Sequence, residues 1–273
     1  MQLERKREAL AAQGVNIASI SFDSPELLRH FTQRVNIGYP LLSDPESKVI
    51  REFGILNTTV AADHQFYGIP YPGMYLVGPD GVVRAKYFEE RNADRFTPGR
   101  VLVRELTAAS GAPQSEVETD HLTARLSASD EVVVGGNRVA LVLELELEDK
   151  MHVYAPHVEG YIPIAWQMQS SEALRHFEPE LPKAEILHLP AINERVPVYH
   201  GRARFVRDVI IGQPKELGDL IDSEGYLRLK GSLRYQACDD KVCYLPQTIE
   251  LEWKVKLEEH DRTRAPEALR RKR

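Results

Sequence analysis

Beyond residue 115, hydrophobic and polar side chains take turns with a period of two. Val139, Leu141, Leu143, Leu145 and Leu147 form one apolar set, and the residues interleaved with them become acidic at Glu144 and Glu146. Ile249, Leu251, Trp253, Val255 and Leu257 repeat the pattern against Glu250, Glu252, Lys254 and Lys256. Successive side chains of a strand point to opposite faces, so this alternation predicts strands that bury one face and wet the other. Strand-like runs over 121–128, 165–168, 203–211 and 226–235 supply enough further short strands for an antiparallel sandwich. Helical signals in this half are confined to short pieces such as 215–221.

The first 110 residues carry a different pattern. Leu3 and Leu10 sit among charges and alanines with helical spacing over 2–12, and Gly14 is placed to end that helix. An apolar, partly β-branched run over 15–21 predicts a strand. Ser24 and Pro25 then supply the N-cap and first position of a helix reaching about residue 33. Residues 40–45 predict a short strand and the cap of another helix, which carries Val49, Ile50 and Phe53 inward and stops near Gly54. Two apolar runs over 73–77 and 82–88 are joined by Gly78-Pro79-Asp80-Gly81, a strong hairpin signal. A last helix over 98–109 closes the unit. Alternating strands and helices mean an α/β layer structure. The small, polar stretch over 110–115 predicts a linker, so the expected domains are 1–111 and 117–257, followed by a charged, flexible tail over 258–273.

Composition agrees with two folded domains: 273 residues, 42% hydrophobic and 28% charged. The net charge is −6 although the last sixteen residues hold six basic and four acidic side chains, so the body is more acidic than the total. That balance argues against nucleic acid as a partner. No apolar run is long enough to cross a bilayer, and residues 1–10 lack the apolar core of a signal peptide. As written, the chain is expected to be soluble and without an export address.

The candidate chemistry lies in Tyr235-Gln236-Ala237-Cys238-Asp239-Asp240-Lys241-Val242-Cys243-Tyr244-Leu245-Pro246, which holds both cysteines of the chain. They sit where one strand-like run turns towards the next, separated by four residues. That is a common hairpin length, and facing positions in such a hairpin meet disulfide geometry. A redox dithiol is the leading reading. A structural staple over so short a loop would contribute only about 2 kcal/mol. Buried free thiols fit poorly beside Asp239, Asp240 and Lys241. A metal site drawing on His152, His157 and His200 lacks His-x-x-x-His or paired Cys-x-x-Cys spacing, so no metal or cofactor is expected.

The cysteine stretch resembles the active-site signature of the N-terminal domain of DsbD, the thiol:disulfide interchange protein, and the likeness extends over about 119–257. The resemblance implies an immunoglobulin-like sandwich that passes reducing equivalents to periplasmic thioredoxin-like partners. It makes Cys243 the attacking thiol, which forms the mixed disulfide, and Cys238 the resolving one. It also implies an aromatic cap, because Val198-Tyr199-His200-Gly201 matches the family's cap loop, with Tyr199 as lid and His200 beside it. Met151-His152-Val153-Tyr154 resembles the strand whose aromatic residues flank the pair, which brings in His152 and Tyr154, with Tyr235 at the edge. A cap has a physical purpose, since thiolate exposure controls exchange and stray oxidation. Ordinary sandwich packing is the competing reading for Tyr199, His152 and Tyr154. The resemblance also implies an extracytoplasmic location, against the missing export address.

Residues 1 to about 110 resemble the AhpC/TSA redoxin branch of the thioredoxin superfamily. The likeness rests on Ala18-Ser19-Ile20-Ser21-Phe22-Asp23-Ser24-Pro25, on Pro40-Leu41-Leu42-Ser43-Asp44-Pro45 and above all on Gly68-Ile69-Pro70-Tyr71-Pro72-Gly73-Met74-Tyr75-Leu76-Val77. The last run matches the segment that holds the superfamily's cis-proline, making Pro72 the candidate, with a plain turn before a strand as the other reading. Redoxins begin with a strand and a Trp-Cys-Pro-type motif, whereas this sequence begins inside the following helix and has no cysteine before Cys238. The resemblance therefore implies a thioredoxin-like α/β domain without its first strand, with a gap or exposed edge in the sheet, and Met1 reads as an internal start.

Together these readings give a thiol:disulfide oxidoreductase of antioxidant type, in which the Cys238/Cys243 pair exchanges electrons with thioredoxin-like partners and the redoxin half supplies no thiol. The competing class is a non-catalytic scaffold with a degenerate redoxin module and a structural bridge.

Overall fold

A computed structural model describes residues 1–89, 91, 93–106, 113–189 and 193–270. The chain divides into two compact units, Gly99–Glu259 and a second made of Met1–Pro98 with His260–Arg273.

The larger unit is built from the alternating strands. One sheet sets Leu174–His176, Arg202–Ile211, Asn137–Leu147, Leu122–Ala128 and Ser115–Glu118 side by side, all antiparallel. A second carries Ala165–Met168, Tyr226–Tyr235, Gln247–Leu257 and Val132–Val133. A third joins Glu185–Leu189, Glu194–His200, His152–Tyr154 and Ala237–Cys238. The period of two decides what is buried. Val139, Leu141, Leu143, Leu145 and Leu147 share one core with Leu227, Leu229, Leu233, Leu251, Trp253 and Val255. Trp166 and Trp253 stack within it at 5.4 Å.

The opposite face of Asn137–Leu147 is divided. Ala140 and Val142 are buried together with Val103 of the helix Pro98–Glu105, while Glu144 and Glu146 pair with surface arginines. The interleaved set therefore changes from apolar to acidic midway, because a helix covers only part of that face.

This helix was expected to close the first unit, and almost all of it instead belongs to the sandwich unit. Its allegiance has two physical causes. Gly99 lets its backbone come close, since a Cβ there would collide with the Ser129 carbonyl. Arg100 and Arg104, one helical turn apart, both reach the fully buried Asp208, at 2.7 and 3.0 Å. Arg138 meets the same carboxylate at 2.6 Å. The helix ends at Glu105, short of the expected residue 109. Residues 107–112, which include half of the expected linker, lie outside the described residues, and Ser115 already starts the edge strand.

The smaller unit has the expected α/β order. Ser24 caps Pro25–Val35 by accepting the Leu27 N–H, and Ser19–Ser21 pairs in parallel with Leu41–Ser43. Both carboxylate oxygens of Asp44 accept backbone N–H groups, of Lys48 and Ile50, at the helix Lys48–Glu52. Gly73–Val77 and Val83–Phe88 form the predicted hairpin, turning through Gly81 at φ 77°, a conformation that side chains resist. Among the described residues the parallel pair and the hairpin share no ladder.

Two expectations change here. No peptide bond among the described residues is cis, so the bond before Pro72 is trans. Trans is the intrinsic preference of an X–Pro amide by about 0.5–1 kcal/mol. The stretch 258–273, expected as a frayed tail, is tied to its unit by Arg34, which meets Asp261 at 2.7 Å. It also holds a short helical turn at Glu267–Leu269, and residues 271–273 lie outside the described residues.

Candidate functional site

Tyr226–Tyr235 and Gln247–Leu257 stay paired as far as Tyr235 and Gln247. At Gln236 the chain changes sheets, and Ala237–Cys238 pairs with His152–Tyr154. The return is held by Gln236 Nε2, which donates to the Tyr244 carbonyl at 2.8 Å, and by the Tyr244 N–H, which donates to the Ala237 carbonyl at 2.9 Å. Cys243 thereby faces Cys238 as an isolated antiparallel bridge, and a disulfide joins them across a Cα separation of 4.0 Å.

Asp239 shapes the turn between the cysteines. Its Oδ1 accepts the Lys241 and Val242 N–H groups at 2.7 Å each, its own N–H donates to the Val242 carbonyl, and Tyr244 donates its hydroxyl to Oδ2. An aspartate that bonds backbone two residues on is a turn-former by mechanism. The same donors, the Lys241 N–H first, hold the Asp239 carboxyl below its ordinary range, and the shared hydrogen bond lifts the Tyr244 phenol.

The two sulfurs sit in unlike surroundings. Cys238 is 1% exposed and packs with Tyr154, Val196 and Val198 in a small apolar cluster that Val158, Tyr161, Leu187 and Leu189 border. Cys243 is exposed, as are Val242 and Leu245 beside it, the latter at 85%.

Strand register sorts the predicted site residues by face. His152 stands opposite both Cys238 and His200, whereas Val153 stands opposite Ala237 and Tyr199. Opposed residues share a face of the sheet, so Cys238, His152 and His200 lie on one side and Tyr199 on the other. Tyr199 is 4% exposed and meets Phe205 edge-on at 5.3 Å inside the sandwich core. The expected lid is therefore a core residue, since a single step along the strand carries its ring to the far face. His200 is exposed and its Nε2 lies 2.8 Å from Glu185 Oε2.

Tyr154 is the aromatic that meets the pair, with its hydroxyl 3.9 Å from Cys243 Sγ. Its ring lies edge-on to His152 at 5.5 Å and stacks on Tyr161 at 4.2 Å. Tyr161 donates its hydroxyl to Glu194 Oε2 at 2.6 Å, and that bond pushes its phenol up to about 12. Burial pushes the Tyr154 phenol up and the His152 imidazole down. His152 is 6% exposed, and its Nε2 has no partner among the described residues.

Tyr235 is fully buried at the base of the turn, with its hydroxyl within hydrogen-bond distance of Gln247 Oε1 and Thr119 Oγ1. It belongs to the main core and not to the cluster around Cys238. Pro72 lies in the smaller unit, at the entry to Gly73–Val77. Tyr161 was missed from sequence, although an aromatic in Gly160-Tyr161-Ile162-Pro163, just after the flanking strand, was a usable signal. Pro163 returns alongside Tyr154, and the Ile164 N–H donates to the Tyr154 carbonyl.

Residues 1–86 match the model of the AhpC/TSA family, and residues 123–253 match that of the thiol:disulfide interchange protein DsbD, N-terminal. The chain thus combines a region similar to the AhpC/TSA family with a region similar to the DsbD N-terminal domain. The span similar to the DsbD N-terminal domain contains the disulfide and falls in the unit built from the alternating strands. The chain is 29% identical over 85 residues to Peroxiredoxin Bcp of Escherichia coli strain K12, which covers 30% of this chain and 51% of the relative. A putative peroxiredoxin bcp of Shigella flexneri gives the same figures. The chain thus spans about half the length of the curated relatives it matches.

Among solved structures, the chain is similar to the N-terminal periplasmic domain of ScsB from Proteus mirabilis. That match has a TM-score of 0.36 at 18% identity and covers 52% of this chain and 50% of the other. The Neisseria meningitidis DsbD N-terminal domain in the reduced form gives a TM-score of 0.30 at 20% identity, covering 43% and 78%. No helix among the described residues is long and apolar enough to cross a membrane.

Proposed function

We propose that Cys238 and Cys243 are the working dithiol–disulfide of this chain and that they exchange electrons with thioredoxin-like proteins. The observation that carries this reading is the asymmetry of the pair, one sulfur buried in an apolar cluster and the other exposed between Val242 and Leu245. Exchange needs one sulfur open to in-line attack and one protected sulfur to act as leaving group or resolver. Two buried sulfurs would serve a staple as well.

In the reducing direction, a partner thiolate attacks Cys243 Sγ. The bond between Cys243 and the partner forms as the Cys238–Cys243 bond breaks, and Cys238 leaves with the electron pair. The partner's second thiolate then attacks its own sulfur in the mixed disulfide and releases Cys243, so the partner ends oxidised and the pair reduced by two electrons. Run backwards, Cys243 attacks a partner disulfide and Cys238 resolves the intermediate. The AhpC/TSA region carries no cysteine in this sequence, so the proposal places the exchange on this pair alone.

Titration of the full chain against dithiol redox buffers, read by alkylation and mass, tests the reading. An exchange pair equilibrates at a potential above about −300 mV, whereas a structural bridge stays oxidised there. With a thioredoxin as probe, Cys238→Ser is expected to accumulate a mixed disulfide on Cys243, and Cys243→Ser to accumulate none. A pair that resists reduction and traps nothing favours the scaffold reading.

A further inference from the structure

Resting on the exchange reading above, we propose that His152 is the proton acceptor for Cys238 when that thiol resolves the mixed disulfide, and its proton donor in the reverse step. The need arises from burial. Only a thiolate attacks sulfur, and an enclosure as apolar as that of Cys238 disfavours the charged form. The proton must be taken inside the cluster, where solvent barely reaches.

His152 is placed for this by the ladder. It stands directly opposite Cys238 on the same face of the sheet, and such pairs hold their Cβ atoms about 4.5–5.5 Å apart. Its ring is 6% exposed, and Nε2 is buried with no hydrogen-bond partner among the described residues. A buried polar atom without a partner asks for an explanation. The oxidised state supplies one, because a disulfide sulfur carries no hydrogen to donate. Reduction creates an S–H on the residue paired with His152, a donor within reach of the orphaned ring.

The other polar groups around the ring are committed elsewhere. Asp239 is engaged by the Lys241 and Val242 N–H groups and by the Tyr244 hydroxyl. His200 is exposed and lies against Glu185, and Asp240 is exposed. The Tyr154 hydroxyl lies near the other sulfur, that of Cys243. Burial outweighs the opposing pull of the Asp240 and Asp239 charges, and His200 adds to it, so the imidazole rests neutral with a lone pair available.

In the mixed disulfide, the Cys238 S–H gives its proton to His152 Nε2, and the resulting thiolate attacks Cys243 Sγ. The Cys238–Cys243 bond forms, the bond between Cys243 and the partner breaks, and the partner sulfur leaves with the electron pair. The proton on His152 passes to that leaving thiolate or to water. The pair is oxidised by two electrons and the partner's disulfide is reduced.

The test mixes the reduced full chain with dithiobis-nitrobenzoate in a stopped-flow instrument. Attack by Cys243 releases one coloured thiolate, and resolution by Cys238 releases a second, so the two steps separate in time. With His152→Gln and His152→Phe, the ratio of second-phase to first-phase rate at neutral pH is expected to fall at least about a hundredfold, the low edge of what a positioned base contributes. The imidazole inflection should also vanish from the second phase's pH profile. Gln keeps a polar atom without a basic nitrogen, so a His152→Gln protein with the wild-type ratio and profile would overturn the role of His152 while leaving the exchange reading intact. A first phase that survives Cys243→Ser would instead overturn the exchange reading itself.

Discussion

Replacing Asp208 by Asn removes a negative charge from the interior of the sandwich unit while keeping the shape of the side chain. Asp208 is fully buried and receives Arg100, Arg104 and Arg138 at 2.7, 3.0 and 2.6 Å. The three arginine side chains are themselves only 9, 11 and 17% exposed. Burial already pulls the Arg104 guanidinium down in pKa, with Arg100 and Arg138 adding to it, and the carboxylate is what opposes this. Breaking a buried pair from one side costs about 3–5 kcal/mol, because it strands the charges left behind. For a unit of this size, at roughly 2–4 °C per kcal/mol, Tm should fall by roughly 6–20 °C. The two tryptophans of the chain, Trp166 and Trp253, both lie in the sandwich core, so their fluorescence in heat or urea reports this unit by itself. Buried charges are screened little by salt, so the loss should be nearly the same at low and high ionic strength. A loss below about 1 kcal/mol is what an exposed pair gives. That result, or a loss that fades in high salt, would refute the idea that this cluster clamps Pro98–Glu105 to the sheet.

Three further outcomes are expected. In the reduced chain, iodoacetamide should label Cys243 well before Cys238, and comparable rates by peptide mass spectrometry would remove the basis for assigning the attacking sulfur. Tyr154→Phe should raise the Cys243 thiol pKa by no more than about one unit, since the lost hydrogen bond is worth about 1 kcal/mol, whereas Tyr199→Phe should leave it in place. Ultraviolet titration of the thiolate reads both, and a large effect at Tyr199 would restore it as a lid. Asp239 has a folded pKa below its ordinary one, so its contribution to the turn is present above the ordinary aspartate range and is lost as pH falls through the folded value. Phosphine reduction of the disulfide should therefore accelerate only in acid, below about pH 4, and Asp239→Asn, which keeps an oxygen for the turn, should flatten that step. An acid step that persists in Asp239→Asn would assign it to another group.

Much of the fold was legible without coordinates. The leucine set of Asn137–Leu147, the Ile249 to Leu257 alternation, the Ser24-Pro25 helix start and the Asp80-Gly81 turn each record a local steric or hydration preference, and each appears where the pattern places it. The cysteine turn is of the same kind, since four residues containing an aspartate suffice to bring two sulfurs together.

Tertiary structure alone decided which groups those elements meet. The family resemblance placed Tyr154 on a flanking strand and Tyr199 in a cap loop, but only the pairing of His152 with Cys238 and of Val153 with Tyr199 puts one ring beside the sulfurs and the other in the core. The apolar stripe of Pro98–Glu105 is equally readable as the end of either unit, and the buried Asp208 on a strand more than a hundred residues away decides between them. The orphaned Nε2 of His152 and the Tyr161 ring stacked on Tyr154 are likewise products of strand register and loop return. A sequence pattern records that a residue is buried. Long-range pairing determines what buries it, and in this protein that difference separates the sulfur face of one small sheet from its core face.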